Sequence, residues 1–279
     1  MKTERKILSL LLILCLVLSF TACGSKKMSD EEILQESVKN MQALNSITTE
    51  SSMEMGFSVG GKTMNMTTDM VQRIINEPLA MEQTMTTTMD GEAEEIQSAV
   101  YLEADGDNLI TYTQIEGEWY KTTQSGFEAL KAYDSTGAMA LYMEAVEKFK
   151  KVGTEEVAGV KANKYEGAIP EEYFQSVLEA SGMDKQLGLQ GASEESLTDL
   201  FKGMGEMPIT IWIDGEKLLP VKYDFDMSAM MKAIMSSMGM GEEELSIEKV
   251  TMSMSITGYD NVDEIVIPQE ARDAEEMVS

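Results

Sequence analysis

The sequence contains no histidine and only two cysteines, Cys15 and Cys23. The absence of histidine excludes Ser-His and Cys-His nucleophilic catalysis and most zinc sites. Large aromatic residues are also few, because seven phenylalanines and two tryptophans stand beside 25 methionines. Methionine side chains are flexible and polarisable, so these counts predict an adaptable hydrophobic core.

Positive charge is scarce, since 22 basic residues oppose 49 acidic residues and the formal net charge is −27. This charge repels nucleic acid, so we predict no nucleic-acid partner. Paired carboxylates can catalyse glycoside hydrolysis, and Asp105 to Asp107 could begin a calcium loop, but the full calcium-loop spacing is absent. We interpret the acidic clusters as solvated surface and turns, and predict no metal, no cofactor and no enzymatic activity.

The first 22 residues have the layout of a signal peptide. A short basic region precedes the apolar run 7–20, which is too short to span a membrane as a helix. Small residues then lead to Cys23, an arrangement that resembles a bacterial lipobox, with Phe20 where leucine is usual. The resemblance implies cleavage before Cys23 and a diacylglycerol on its thiol. The alternative is an ordinary secretory signal followed by a chance cysteine.

These features predict the organisation of the chain and its location. We expect a signal peptide at 1–22, a lipidated cysteine and tether at 23–29, one domain at 30–258, and a loosely held acidic tail at 259–279. The protein would lie on the extracytoplasmic face of the bacterial cell membrane. Its acidity requires that a covalent lipid, and not a basic patch, provides the membrane contact.

The hydrophobic pattern predicts an α+β fold. Ser29 and Glu32 form a capping box before a helix over 30–44. From Ser46 the period changes to two, and turn signals such as Gly60-Gly61 divide residues 46–124 into six antiparallel strands. Further helices are predicted near 142–149, 170–178, 197–204 and 227–238, and further strands within 152–165, 209–225 and 247–256. So many antiparallel strands would form a single large sheet that curls, because it is too long to lie flat.

The element order of residues 30–258 resembles that of LolA-like and mycobacterial-carrier-like lipoproteins, and more narrowly that of uncharacterised Gram-positive lipoproteins. Similar strand and turn segments stand at 117–121 (GEWYK), 157–165 (VAGVKANKY), 211–216 (IWIDGE) and 219–222 (LPVK). The resemblance implies a half-open antiparallel barrel whose concave side is covered by helices. It also implies a lipid, an acyl chain or a lipoprotein segment as the ligand, and supplies no catalytic residue.

Alternation and helical spacing predict where such a ligand would bind. Residues two apart on a strand share a face, and a methionine stripe on the helix near 227–238 could cover that face. The predicted ligand-binding residues are Met53, Met55, Phe57, Met64, Met66, Met230, Met231 and Met235. One alternative is a filled core, which would make the protein a structural or interaction module of the cell envelope. Another is a Cu(I) carrier, because Met-x-Met pairs supply soft thioether ligands.

Overall fold

The computed structural model of the protein describes residues 28–91, 95–125, 149–176, 201–202, 204–237 and 245–277. Cys23 and the predicted signal peptide lie outside these residues. The same is true of most residues in the helices predicted near 142–149 and 197–204. Within the described ranges, no helix has the length and apolar character needed to cross a membrane.

The first helix, α1 (Asp30–Gln42), contains the boundary between two units, one ending at Gln35 and the other covering 36–279. In the first unit, the Glu32 N–H donates to Ser29 Oγ at 3.2 Å, and the Ser29 N–H donates to Glu32 Oε2 at 2.7 Å. The predicted capping box is therefore confirmed. The hydrogen bonds from Ser29 lower the pKa of the Glu32 carboxyl. In the second unit, α1 buries Ser37 and Met41.

The second unit contains one open antiparallel sheet with eleven strands in its described part. The strands are β1 (Ser46–Val59), β2 (Lys62–Asn76), β3 (Leu79–Met89), β4 (Ile96–Asp105), β5 (Asn108–Ile115), β6 (Glu118–Ser125), β7 (Lys150–Val157), β8 (Val160–Ile169), β9 (Met207–Asp214), β10 (Pro220–Asp226) and β11 (Leu245–Tyr259). Their spatial order is β6-β5-β4-β3-β2-β1-β11-β10-β9-β8-β7, so β6 and β7 are the edges. The predicted single large antiparallel sheet is confirmed.

Turn chemistry and bulges set the register and the curvature of this sheet. Gly60 and Gly61 have φ values of 57° and 78°, which suit a two-residue turn between twisted strands. This turn places Val59 opposite Lys62. The long-range pairing of β1 with β11 changes register at Thr48/Thr49 and at Gly56/Phe57. Such irregularities bend a strand and increase its twist, which helps a sheet of this size to curl.

Helices are few among the described residues. The helix α2 (Ser228–Ser237) follows β10 and packs against β11. The Ser228 N–H donates to Asp226 Oδ1 at 3.0 Å, and the Val250 N–H donates to Ser228 Oγ at 2.9 Å, which joins the start of α2 to β11. The helix predicted near 170–178 begins with a 3-10 turn, Glu171–Tyr173. A short third helix, α3, spans Gln269–Arg272.

The segment that follows β11 is packed, and our expectation of a loose tail is wrong for its described residues. We call residues 260–277 the C-terminal strap. Within it, Ile267 and Ala271 are 5% and 0% exposed and pack against Tyr101 and Tyr112. The apolar residues of the strap are spaced so that they cover an aromatic patch on β4 and β5, and burying this apolar surface stabilises the attachment.

The strap also makes backbone contacts with the edge of the sheet. The Lys121 N–H in β6 donates to the Glu275 carbonyl at 3.3 Å, and the Met277 N–H donates to the Lys121 carbonyl at 2.8 Å. These bonds form a short parallel bridge between Lys121 and Glu276. Edge strands carry backbone groups without a strand partner, so β6 offers the strap a place to pair that the sequence pattern does not reveal.

Candidate hydrophobic ligand-binding site

Four neighbouring strands, β11, β1, β2 and β3, bring methionines together on one side of the sheet. In the register, Met55 lies opposite Met66, and Phe57 lies opposite Met64. Directly opposed residues on antiparallel strands share a face and have their Cβ atoms about 5 Å apart. We call the resulting surface the methionine face. Its members are Met53, Met55, Phe57, Met64, Met66, Met70, Met85, Met89 and Met252.

The nine side chains of the methionine face are half-buried, whereas a row farther along the same side of the sheet is packed. The row at the start of β1 contains Ile47, Ile74, Met81 and Leu102, which are 1%, 3%, 5% and 0% exposed. These four side chains lie opposite one another on β1 to β4. One side of the sheet therefore changes from a closed apolar base into a half-exposed methionine surface.

The predicted residues on α2 fall into two groups. Met230 and Met231 are 3% and 6% exposed, so they are packed side chains. Met235 is half-buried. α2 packs against β11, the strand that also carries Met252 of the methionine face. The structure thus brings the five predicted strand residues together, while two of the three helix residues belong to the packed part of the protein.

Two glutamines that the sequence pattern did not reveal occupy this same side of the sheet. Gln72 lies opposite Gln83 on the neighbouring strand and opposite Thr49 on β1. The Gln72 Nε2 donates to Gln83 Oε1 at 3.0 Å. The alternation of the strand could have identified them. Gln72 lies two residues from Met70 and two from Ile74, so it shares a face with these apolar residues. A polar residue at an apolar position of a strand indicates a buried polar contact.

Two concavities among the described residues are lined by none of the eight predicted ligand-binding residues. One, of about 360 Å³, lies mainly on the opposite side of the sheet beside Glu50, Asp69 and Thr86. The other, of about 470 Å³, lies where β6 meets the strap, beside Trp119 and Met277. In the part of the chain that the structure describes, no three Asp, Glu, Cys or His side chains are grouped as metal ligands.

Two tyrosines with perturbed pKa values, Tyr101 and Tyr112, lie on the side of the sheet opposite the methionine face. Burial and a hydrogen bond to Glu103 raise the pKa of Tyr112 to about 12. Glu103 also accepts two hydrogen bonds from Arg272 of the strap, at 2.8 and 3.0 Å. Burial, followed by a hydrogen bond to Glu82, raises the pKa of Tyr101. Perturbed groups often mark catalytic sites, but these tyrosines contact the strap and have a structural explanation.

Comparison with solved structures gives similarities at low sequence identity. LprF from Mycobacterium bovis is 14% identical, with a TM-score of 0.48, over 86% of this chain and 96% of that chain. The lipoprotein LppX from Mycobacterium tuberculosis is 16% identical, with a TM-score of 0.46, over 85% of this chain and 100% of that chain. No curated protein matches the sequence.

One family model matches residues 29–276 and is described as a family of unknown function, DUF6612. The match includes α1, the whole described sheet and nearly all of the strap. It therefore extends across most of the chain, including the segment after β11. The protein belongs to the DUF6612 family.

Proposed function

We propose that the protein is an exported, lipid-anchored, non-enzymatic binder of a hydrophobic ligand, either a lipid, an acyl chain or a lipoprotein segment. The observation that supports this role is the methionine face. Nine apolar side chains on four paired strands share one side of the sheet and remain half-buried, while the row that contains Ile47, Ile74 and Leu102 is packed. A half-exposed apolar surface beside a closed core is suited to covering an apolar ligand.

The chemistry of the face favours a flexible ligand of variable length. Thioether side chains change rotamer easily, so the face can adapt to acyl chains without fixed polar recognition. Each buried methylene contributes about 0.8 kcal/mol. A chain that buries ten methylenes therefore gains about 8 kcal/mol, which must offset the loss of translational and rotational freedom on association. The expected affinity is moderate, as carriage and release of a ligand require.

The proposed anchor is a lipid on Cys23, and the proposed location is the extracytoplasmic face of the cell membrane. The basic region, the apolar run and the small residues before Cys23 support this part of the proposal. The net charge of −27 supports it as well, because such a chain is repelled by anionic lipid head groups and needs a covalent attachment.

Native mass spectrometry and lipid extraction test the binding role. The full chain would carry Cys23→Ala, so that any lipid recovered is bound and not covalently attached. We expect lipid to copurify, and Met55→Gln and Met66→Gln to reduce the bound fraction severalfold by placing an amide on the methionine face. Thr67→Gln is the matched control, because residue 67 lies on the same strand but faces the opposite side. Equal lipid retention in all three variants would refute the assignment of the face.

The second candidate is an interaction module of the cell envelope without a small ligand. Two observations favour it, since neither described concavity is lined by the predicted ligand residues and Met230 and Met231 are packed. In the same experiment, a protein that binds no lipid at any concentration would support the interaction module over the lipid binder.

A further inference from the structure

The glutamine pair on the apolar side of the sheet is incompletely satisfied. Gln72 Nε2 donates to Gln83 Oε1 at 3.0 Å and lies 3.4 Å from Met81 Sδ. The Gln83 Nε2 donates to Met85 Sδ at 3.3 Å. A thioether sulfur is a weak acceptor. Gln83 is only 6% exposed, so its amide donors are largely removed from water and have a poor partner in the described residues.

The glutamine pair lies between two different regions of this side of the sheet. On one side lies the closed apolar row that contains Ile74 and Met81, and on the other lies the row of Met70 and Met85 at the start of the methionine face. An acyl chain that extends over the methionine face towards the packed row of Ile74 and Met81 would reach Gln83 at the boundary between the two regions. Met85, the present partner of the amide, is itself a flexible side chain that can turn aside.

The surroundings of the pair also specify the charge of what it would bind. The positions nearest the pair on this side of β1, β2 and β3 carry no charged residue. In these three strands, which lie within the described ranges, the one charged residue on this side is Lys62, at the far end of β2 and ten positions from Gln72. The nearest positions are occupied by Thr49, Ser51, Thr68, Met70, Ile74, Met81, Met85 and Thr87. A carboxylate buried here would have no cationic partner, which is costly. A neutral oxygen acceptor needs no such partner.

We infer that the ligand is a neutral, oxygen-bearing lipid, such as an acyl ester, and that Gln83 Nε2 donates a hydrogen bond to its carbonyl oxygen while Gln72 holds the Gln83 amide in place. This inference rests on the proposed function, since it requires that the acyl chain occupies the methionine face. The hydrogen bond would let the site distinguish an ester from a hydrocarbon, whereas the methionine face alone binds any apolar chain.

Binding of three probes with the same chain length tests the inference: methyl dodecanoate, dodecanoate and dodecane. The full chain carrying Cys23→Ala would be compared with the same chain carrying Gln72→Leu and Gln83→Leu together. Both glutamines are replaced because removing only one would leave its partner buried and unpaired, whereas replacing both is close to neutral for stability. Gln97→Leu is the matched control, because Gln97 is exposed and lies on the opposite side of β4.

The measured quantity is the affinity for methyl dodecanoate divided by the affinity for dodecane. This affinity ratio is compared between the parent chain and the double variant. The probes differ in water solubility by the same amount in both measurements, so that difference cancels. We expect the double variant to lower this ratio by about tenfold, as the loss of one neutral hydrogen bond implies, and Gln97→Leu to leave it unchanged. We also expect the parent chain to bind dodecanoate less tightly than the ester.

Two results would overturn the inference, and they differ in what they say about the proposed function. If all probes bind and the double variant keeps the parent ratio, the polar contact is wrong while hydrophobic binding stands. If the parent chain binds none of the three probes, both the inference and the proposed function fail. Tighter binding of dodecanoate than of the ester by the parent chain would also contradict the neutral-ligand assignment.

Discussion

The packing of the C-terminal strap predicts that two adjacent and similar residues differ sharply in their effect on stability. Ile267 is 5% exposed and Val266 is 71% exposed. Replacing Ile267 with alanine removes three carbon atoms, each worth about 0.8 kcal/mol when buried, so the transfer loss is about 2.4 kcal/mol. The strap can relax around the gap, which keeps the total near the low end of the 2–5 kcal/mol range for such substitutions.

Urea unfolding followed by tryptophan fluorescence, with thermal unfolding in parallel, measures this difference. We expect Ile267→Ala to lower the free energy of unfolding by about 2 kcal/mol, equivalent to a fall in melting temperature of about 4–8 °C for a domain of this size. Val266→Ala should change it by less than about 0.5 kcal/mol. Equal effects of the two substitutions would refute the packing of the strap and restore the loose tail expected from the sequence.

Four further predictions follow from other parts of the chain. Cys23→Ala should release the protein from membranes or leave its precursor uncleaved, and a correctly processed variant that stays membrane-bound would contradict lipidation. Gly258→Ala should lower the melting temperature, because the added Cβ would overlap the Asn261 side chain, and Asn261→Ala in the same chain should restore part of the loss. Tyr112 stabilises the fold below its ordinary pKa near 10 and loses this contribution as the pH rises to about 12, so Tyr112→Phe should flatten the alkaline decline of stability in that window. A metal chelator should leave the melting temperature nearly unchanged, and a large fall would reveal a bound cation.

The local architecture could be predicted from the sequence because it depends on short-range signals. The change of period at Ser46 and the Gly60-Gly61 turn led to β1 and β2, and the turn also placed Met55 and Met66 on one face. The capping box at Ser29 was equally local. In each case the interacting residues are close in sequence, so spacing and turn geometry determine the outcome.

Long-range features could not be obtained in the same way. The pairing of β1 with β11 joins residues that are about 200 positions apart, and alternation in each strand does not specify its partner. The strap was misjudged because acidic residues dominate its composition, whereas three apolar residues, Val262, Ile267 and Ala271, decide its packing. The glutamine pair was missed because each glutamine alone is typical of a strand surface. The ligand role of the methionines stays a prediction.

The two edges of the open sheet differ in how they are protected from other chains. An uncovered edge strand can recruit a strand from another molecule and begin aggregation. At β6, the strap occupies the backbone groups of Lys121, which blocks part of that edge with the protein's own chain. At β7, the exposed Lys150 and Lys151 stand at the edge, and exposed lysines oppose the approach of another strand. A chain that loses its strap would therefore be expected to self-associate through β6 first, with a cost in solubility that precedes any loss of ligand binding.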